Sequence, residues 1–221
     1  MTLTTTMDPS RMDYHKHIRE EIIPLVPDAG GTLLDVGGGV GATAARLKHL
    51  GKAQRVGVVD LIDSSMEGVT KDFSYSGNIE DARFLDSVIE AEGPFQTILC
   101  LDVLEHLVDP WAIVGRLHKA LAPGGVIVAS IPNVRHYSAF LPLAFQDRWD
   151  LADDGILDRT HLRFFVRSTA IELMTCSGLK LEEVRGNLVG GRKVKLARAL
   201  SLGMVNSFTY LQYLIRVRRV D

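Results

Sequence analysis

Apolar and polar positions alternate along this chain in blocks that predict strands and helices in turn. Short runs that are apolar at nearly every position, such as VGVV, TILCL and VIVAS, are typical of strands buried on both faces of a sheet. Segments with the helical spacing of apolar residues lie between these runs. The alternation of the two kinds of segment predicts a parallel sheet with helices on both sides.

The predicted elements fill most of the chain. The predicted strands cover Thr32–Val36, Arg55–Asp60, Phe95–Asp102, Gly125–Ile131, Lys180–Val184 and Tyr210–Val217, while Asp72–Ser76 predicts either a further strand or a loop. The predicted helices cover Asp13–Leu25, Ala42–Leu50, Ser64–Thr70, Leu85–Ala91, Pro110–Leu121 and Ser168–Ser177, with an amphipathic helix near Val194–Met204. We therefore expect one α/β domain with a doubly wound, mostly parallel seven-stranded sheet.

One segment breaks this alternation. Residues 135–166 follow the fifth predicted strand, are rich in aromatic residues and show no clear period. We predict that they form an insertion on the substrate side of the domain, over the carboxyl edge of the sheet. The other parts of the domain are an N-terminal helix within residues 1–27 and a C-terminal helix with the last strand within residues 190–221.

Composition and charge exclude several classes of protein. The chain has 221 residues, 46% hydrophobic and 24% charged, which is enough apolar material for a sizeable core. A net charge of −2 provides no basic field that would gather nucleic acid. The two cysteines suggest neither a disulfide framework nor a cysteine-rich zinc site. No apolar run is long enough for a membrane span or a signal peptide, so the sequence predicts a cytoplasmic protein.

The most informative motif is the turn Gly37–Gly41 (GGGVG), which directly follows the first predicted strand. Glycine has no Cβ and tolerates positive φ, so this backbone can approach a polar ligand closely. The turn also leads into a helix whose free N–H groups would point at that ligand. Dinucleotides and S-adenosylmethionine are both bound by turns of this kind.

Asp35 favours S-adenosylmethionine over a nicotinamide dinucleotide. It is a charged residue in an otherwise apolar strand, and a buried carboxylate is unfavourable without a partner. The ammonium group of S-adenosylmethionine can be that partner, whereas a dinucleotide has none. A purely structural role, in which Asp35 caps the turn, remains an alternative. Asp60 ends the second predicted strand, where an acidic residue can bind the ribose hydroxyls of either cofactor.

Five motifs in order resemble those of class I S-adenosylmethionine-dependent methyltransferases. They are LLDVGGGVG, the strand-end Asp60, GNIEDA, LCLDVLEHLVDPW and LAPGGVIVASIPN, and the resemblance covers roughly residues 14–185. Residues 131–165 are similar to a bacterial subgroup found with glycosyltransferase and polysaccharide genes, and more distantly to ubiquinone-pathway O-methyltransferases. The resemblance implies O-methylation of a sugar or another small-molecule hydroxyl, with S-adenosyl-L-methionine converted to S-adenosyl-L-homocysteine.

The resemblance also implies roles for individual cofactor-binding residues. The methionine part would be wrapped by Gly37, Gly39 and Gly41 with Asp35 at its ammonium, the ribose held by Asp60, the adenine met by Asn78 and Ile79, and the methionine end lined by Leu101 and Asp102. Asn78 stands where the family usually has Asp. Its amide carbonyl must therefore face the adenine amine.

Candidate residues for the chemistry lie in the second half of the chain. A hydroxyl nucleophile gains about 10²–10⁴-fold from a positioned base, and the candidate bases are His161 and His106, with His136 as a third. An ordinary structural hydrogen bond is the alternative role for each. The predicted substrate contacts are Tyr14, His136, Trp149 and Arg163. No metal-ligand set is predicted, because an acidic loop cluster such as Asp153–Asp158 is usually solvated.

Other functions remain open from the sequence. One is a nicotinamide-dependent oxidoreductase, and another is a non-catalytic regulatory subunit that binds S-adenosylmethionine. Methylation of nucleic acid is disfavoured, because LDVLEH replaces the proline-rich signature of the enzymes that methylate base amines. The C-terminal region is locally basic, and a solvated helix is favoured there over contact with a membrane. A monomer and a homodimer are both compatible with the sequence.

Overall fold

The computed structural model describes residues 18–188 and 205–220. Tyr14, the first five residues of the predicted N-terminal helix and the predicted amphipathic helix near Val194–Met204 therefore lie outside the described residues. The end of the predicted N-terminal helix is described, and the predicted last strand, Tyr210–Val217, is described in full.

The described residues contain seven strands and six α-helices. The strands are β1 (Thr32–Val36), β2 (Arg55–Asp60), β3 (Phe73–Ser76), β4 (Phe95–Leu101), β5 (Leu121–Pro132), β6 (Lys180–Leu188) and β7 (Tyr210–Arg218). The helices are α1 (Ala42–His49), α2 (Ala82–Glu92), α3 (Pro110–Ala120), α4 (Tyr137–Gln146), α5 (Arg167–Thr175) and α6 (Asn206–Thr209). Two 3-10 helices, Glu20–Leu25 and Leu104–His106, complete the set.

The strands form one sheet in the order β3-β2-β1-β4-β5-β7-β6. The first five strands are parallel, and β7 runs antiparallel to both of its neighbours. The strand order reverses between β1 and β4, where ligands bind in open α/β sheets beyond the carboxyl ends of the strands. The predicted doubly wound seven-stranded fold is confirmed.

The sheet is buried on both faces, as its apolar strands require. In β1, Leu33 packs into one apolar cluster while its neighbour Leu34 packs into the other. Successive side chains of a strand point to opposite faces, so each core strand supplies both clusters. This double burial explains why the core strands are continuous apolar runs rather than alternating ones.

Two predictions, for residues 64–70 and for residues 135–166, differ from the structure. No helix forms over Ser64–Thr70, which contains only a turn at residues 67–68, because Gly68 adopts a φ of 81° and the segment is poor in helix-forming residues. The insertion at residues 135–166 contains α4, which its pattern did not predict. The helix's own apolar residues occur on all of its sides and Pro142 lies inside it, so its sequence shows no helical period.

The described end of the predicted N-terminal helix is a 3-10 helix rather than an α-helix. Pro24 lies within Glu20–Leu25 and lacks the N–H that an α-helix would use. Ile22 and Leu25 are nevertheless fully buried beneath this segment. Among residues 18–188 and 205–220, no helix combines the length and apolar character needed to cross a membrane.

Candidate active site

The glycine turn lies where β1 ends and α1 begins. Gly37, Gly39 and Gly41 have φ values of 69°, 55° and 86°, which L side chains rarely adopt. A Cβ on Gly37 would stand 2.0 Å from Cγ2 of Val103, in the loop that follows β4. The turn therefore packs directly against the β4 loop, and only glycine fits at this position.

Asp60 ties the turn to the end of β2. Its Oδ2 accepts a hydrogen bond from the Gly39 N–H at 2.9 Å, and its Oδ1 accepts one from the Ile62 N–H at 3.2 Å. A carboxylate has about four lone-pair positions, so two remain for ligand hydroxyls. Asp60 is thus a structural cap of the turn that keeps its capacity to bind a ribose.

Asp35 is buried beneath the same turn. It is 2% exposed, and its Oδ1 has no hydrogen-bond partner among the described residues. Burial first, and the charge of Asp60 second, raise the pKa of this carboxyl to about 7, and the charge of Arg19 opposes both effects. A buried carboxylate oxygen without a partner is the kind of site that a ligand cation satisfies.

The loop after β3 carries the residues predicted to meet adenine. Asn78 is exposed, and its side-chain carbonyl accepts a hydrogen bond from the Glu80 N–H at 2.9 Å. Ile79 is buried beside it. One lone pair of the Asn78 carbonyl is therefore already used in a local turn, and the other is left for an adenine amine.

A polar network that the sequence did not indicate covers the end of β4. Asp102 has a φ of 55° and receives hydrogen bonds from Ser130 at 3.0 Å and Gln212 at 2.8 Å. The Arg19 guanidinium pairs with the same carboxylate and also donates to Gln212 at 3.0 Å. Leu101, the residue before Asp102, is partly buried against the core. Arg19 is therefore held over the carboxyl edge of the sheet, close to the candidate cofactor site.

Glu105, His106 and His161 form a second polar cluster next to this edge. One ligand atom from each residue lies within 4.8 Å of those of the other two. The Glu105 side chain is 1% exposed, that of His161 is 6% exposed, and the nearest contact between them is 3.9 Å, from Oε1 to Nε2. Neither carboxylate oxygen of Glu105 has a hydrogen-bond partner among the described residues.

The hydrogen bonds of the two histidines fix where their protons are. Nδ1 of His161 lies 3.0 Å from the Ile156 carbonyl, and Nδ1 of His106 lies 3.2 Å from the Thr160 carbonyl. A carbonyl oxygen only accepts, so each Nδ1 carries a proton, and in the neutral form of each ring Nε2 keeps a bare lone pair. Burial, together with His161, lowers the pKa of His106, which favours the neutral ring.

The cluster joins two segments that are far apart in sequence. The backbone carbonyl of Glu105 accepts hydrogen bonds from the N–H groups of Leu162 at 2.8 Å and Arg163 at 3.0 Å. The end of the insertion is thereby fastened to the loop after β4. This fastening buries Glu105 and raises its pKa well above the usual value, through burial first and the charge of Asp102 second.

The remaining predicted substrate contacts have different surroundings. His136 caps α4 by accepting a hydrogen bond from the Ser138 N–H at 3.3 Å, which gives it a structural role. Arg163 donates to the Val108 carbonyl. Trp149 is 39% exposed and lies edge-on to Phe164, with ring centroids 5.1 Å apart. Of these side chains, Trp149 presents the most free surface.

Comparison with known proteins decides the family. The model of the family described as "Methyltransferase domain" matches residues 11–184 of this chain. A ubiquinone biosynthesis O-methyltransferase of Xanthomonas euvesicatoria pv. vesicatoria is 31% identical over 192 residues, covering 85% of this chain and 77% of that protein. The chain belongs to the methyltransferase domain family.

Two further comparisons agree with this assignment. The O-methyltransferase of the same description from Xylella fastidiosa strain 9a5c is 33% identical over 138 residues, which span 61% of this chain and 52% of that relative. The N-methyltransferase NodS of Bradyrhizobium japonicum, solved with S-adenosyl-L-homocysteine, has a TM-score of 0.58 at 17% identity and covers 97% of this chain and 89% of its own. At that identity the likeness shows the fold alone.

This methyltransferase uses S-adenosylmethionine, as its class I fold and family indicate. Family membership sets aside the nicotinamide-dependent oxidoreductase and the non-catalytic subunit. One unpartnered feature of the site fits the cofactor, since the orphaned Asp35 oxygen suits an ammonium group. The association with polysaccharide genes and the cytoplasmic location stay predictions.

Proposed function

We propose that this methyltransferase transfers a methyl group to the hydroxyl oxygen of a small molecule. The observation that carries the proposal is the Glu105–His106–His161 cluster, whose bare lone pairs can receive a hydroxyl proton. The relatives named O-methyltransferases also support oxygen as the atom that accepts the methyl group.

The cofactor would be held by the residues around the glycine turn. The backbone of Gly37, Gly39 and Gly41 would wrap the methionine part, with the Asp35 carboxylate as the partner of its ammonium. Asp60 would bind the ribose, and the N–H of Ile79 together with Asn78 would bind the adenine. Leu101 and Asp102 would line the methionine end. Arg19, which is fixed by Asp102 and Gln212, adds positive charge beside Asp35.

The acceptor would lie on the other side of the cofactor's methyl group, against the insertion. S-adenosylmethionine, when bound, supplies a methyl group on a sulfonium sulfur, which keeps the electron pair of the broken C–S bond as the new C–O bond forms. The chain must align the acceptor oxygen with that methyl group, and such alignment is worth about 7–11 kcal/mol. The hydroxyl proton passes to the Nε2 side of the cluster and then to water.

The surroundings of the cluster favour an acceptor with an apolar ring face. Phe164 lies 6.3 Å from the His161 ring, and Trp149 packs edge-on against Phe164. A phenolic ring and the apolar face of a sugar both suit such a surface. Trp149 is the acceptor contact that these distances support, while the acceptor contacts of Arg163 and His136 stay predictions and Tyr14 lies outside the described residues.

The first test combines binding with methyl transfer. Calorimetric titration with S-adenosylhomocysteine, with NADH as the comparison ligand, should give micromolar or tighter binding of S-adenosylhomocysteine alone. Transfer of a labelled methyl group would then be measured with 3,4-dihydroxybenzoate as the phenolic probe and UDP-glucose as the sugar probe. His161→Ala should lower turnover at least tenfold while the affinity for S-adenosylhomocysteine changes less than twofold.

Three outcomes would contradict the proposal. Folded protein that is free of bound cofactor and fails to bind S-adenosylhomocysteine would refute the cofactor site. A label found on nitrogen of an amine acceptor rather than on oxygen would refute the acceptor class. Unchanged turnover of His161→Ala at saturating acceptor would remove His161 from the chemistry.

A further inference from the structure

Three electron-pair donors meet in the Glu105–His106–His161 cluster without a hydrogen-bond donor between them. The Glu105 oxygens have no hydrogen-bond partner among the described residues, and in the neutral rings the Nε2 atoms of both histidines carry lone pairs because the Nδ1 protons are bound to carbonyls. Such an arrangement is repulsive unless positive charge lies within it.

A proton alone does not join the three side chains. A proton on Glu105 or on Nε2 of His161 would need the other atom within about 3 Å to form a hydrogen bond, but the two atoms are 3.9 Å apart. Arg19 influences Glu105 only through its charge, since its guanidinium bonds Asp102, Ser130 and Gln212 instead. A small cation is the occupant that can satisfy all three side chains together.

We propose that Glu105, His106 and His161 bind a divalent transition-metal cation, which holds the oxygen of the acceptor hydroxyl. The second half of this statement rests on the function proposed above. The first half is independent of it, because it concerns only the three side chains and the metal.

The geometry of the cluster suits such a cation. Metal–nitrogen and metal–oxygen bonds of about 2.0–2.2 Å place neighbouring ligand atoms about 3.0–3.5 Å apart, closer than the 3.9 Å between Glu105 and His161 and the 4.8 Å within which all three ligand atoms lie. A modest inward movement of the side chains therefore closes the site. The carbonyls of Ile156 and Thr160 orient the two rings through Nδ1–H, as the outer partners of metal-binding histidines usually do.

The ligand types select the metal. Two imidazoles with one carboxylate suit zinc, iron(II) or manganese better than calcium, which prefers oxygen ligands alone. Three protein ligands also leave positions open for water or for an acceptor oxygen. His106 is only half-buried, so the cluster is not sealed from solvent.

A bound cation would change how the acceptor is activated. A hydroxyl on a divalent metal ion loses its proton much more readily than a free hydroxyl, as metal-bound water does. The proton then passes to water, and the metal-held oxygen keeps the electron pair that forms the C–O bond. His106 and His161 would serve as ligands in this state rather than as free bases.

Metal binding is tested first, without any acceptor. The full chain is stripped with a chelator and titrated with Co²⁺, whose visible absorption reports coordination by imidazole. One equivalent of Co²⁺ should bind, and stoichiometric Zn²⁺ should displace it. Glu105→Gln and His161→Asn should each weaken Co²⁺ binding at least 100-fold, while His49→Asn, an exposed histidine at the end of α1, should leave it unchanged.

S-adenosylhomocysteine titration separates this inference from the proposed function. The variants should bind S-adenosylhomocysteine within twofold of the parent, which also shows that they are folded. The inference is overturned if the stripped parent fails to bind Co²⁺ or Zn²⁺, or if Glu105→Gln binds Co²⁺ as the parent does. Loss of methyl transfer on stripping, restored by Mn²⁺ or Zn²⁺, supports the second half. Unchanged methyl transfer after stripping would refute the role of the metal in holding the acceptor oxygen, but not metal binding itself. Failure to bind S-adenosylhomocysteine would refute the proposed function instead.

Discussion

Asp35 and Glu105 are two buried carboxylates at one edge of the same sheet, yet they suit different ligands. They are 2% and 1% exposed, each has at least one oxygen without a partner, and burial raises both pKa values. Asp35 lies against the glycine turn, where a Cβ on Gly38 would stand 2.5 Å from its Cγ, whereas Glu105 lies beside two imidazole rings. Burial shows that a carboxylate needs a partner, and its neighbouring atoms indicate which partner.

The largest expected effect comes from a substitution that disturbs both carboxylates. Gly37→Ala places a Cβ 2.0 Å from Cγ2 of Val103, at a position where Gly37 has a φ of 69°. Val103 lies two residues before Glu105 in the chain, so the same contact disturbs the Glu105 loop. We expect the affinity for S-adenosylhomocysteine to fall more than 100-fold in calorimetry. Gly51→Ala is the matched control, because Gly51 has a φ of 76° and nothing within 4 Å. It should cost only about 1–2 kcal/mol of unfolding free energy and leave binding intact.

Exchanging single carboxylates for amides should separate the two sites. Asp35→Asn removes the proposed partner of the cofactor ammonium, and losing a charged hydrogen bond of about 1.5–3 kcal/mol lowers affinity about 10–100-fold. Glu105→Gln should leave the same affinity within twofold. Calorimetry with S-adenosylhomocysteine measures both. Equal losses of S-adenosylhomocysteine affinity in the two variants would contradict the assignment of the two carboxylates to different ligands.

The pH dependence of cofactor binding should report Asp35 in particular. Its pKa is raised to about 7, so the carboxyl becomes protonated as the pH falls through that value and can no longer pair with an ammonium group. The affinity for S-adenosylhomocysteine should therefore be constant above pH 7 and fall by up to tenfold per unit below it. Titrations between pH 5.5 and 8.5 test this, and Asp35→Asn should show a flat profile. A parent profile as flat as that of the variant would contradict the role of Asp35.

The smallest effect is expected on the acceptor side. Trp149→Ala removes an exposed ring face that packs against Phe164. The KM for an acceptor should rise about threefold to tenfold, in line with about 0.5–1.5 kcal/mol for an aromatic contact. Steady-state kinetics should show little change in kcat, and S-adenosylhomocysteine affinity should be unaltered. A change in cofactor affinity would instead place Trp149 on the cofactor side.

The two carboxylates also show what the sequence can and cannot reveal. Asp35 was predicted because a charge inside an apolar strand is visible in a short window. Glu105 was missed because VLEHLV has the appearance of an exposed helix start, while its burial depends on residues 156–163, which lie about 50 positions later. Arg19 escaped notice for the same reason, since its partner Gln212 is 193 residues away.

Local pattern was sufficient for the central elements of the fold. β1 and β2 were predicted with their observed ends, because buried parallel strands are continuous apolar runs with clear boundaries. The helix predicted over Ser64–Thr70 was wrong, and α4 was missed, because neither segment has a helical period that matches its structure. Contacts between distant segments decided what the local pattern did not.

The position of β7 has a consequence for synthesis of the chain. β7 follows β6 in sequence but fills the place between β5 and β6 in the sheet. Until residues 210–218 have left the ribosome, β5 therefore presents an unpaired edge and β6 has no strand to join. An open edge of this kind is a template for pairing with other chains. Two strand edges of the sheet thus stay open until β7 pairs with them, although the cofactor turn after β1 has already been made.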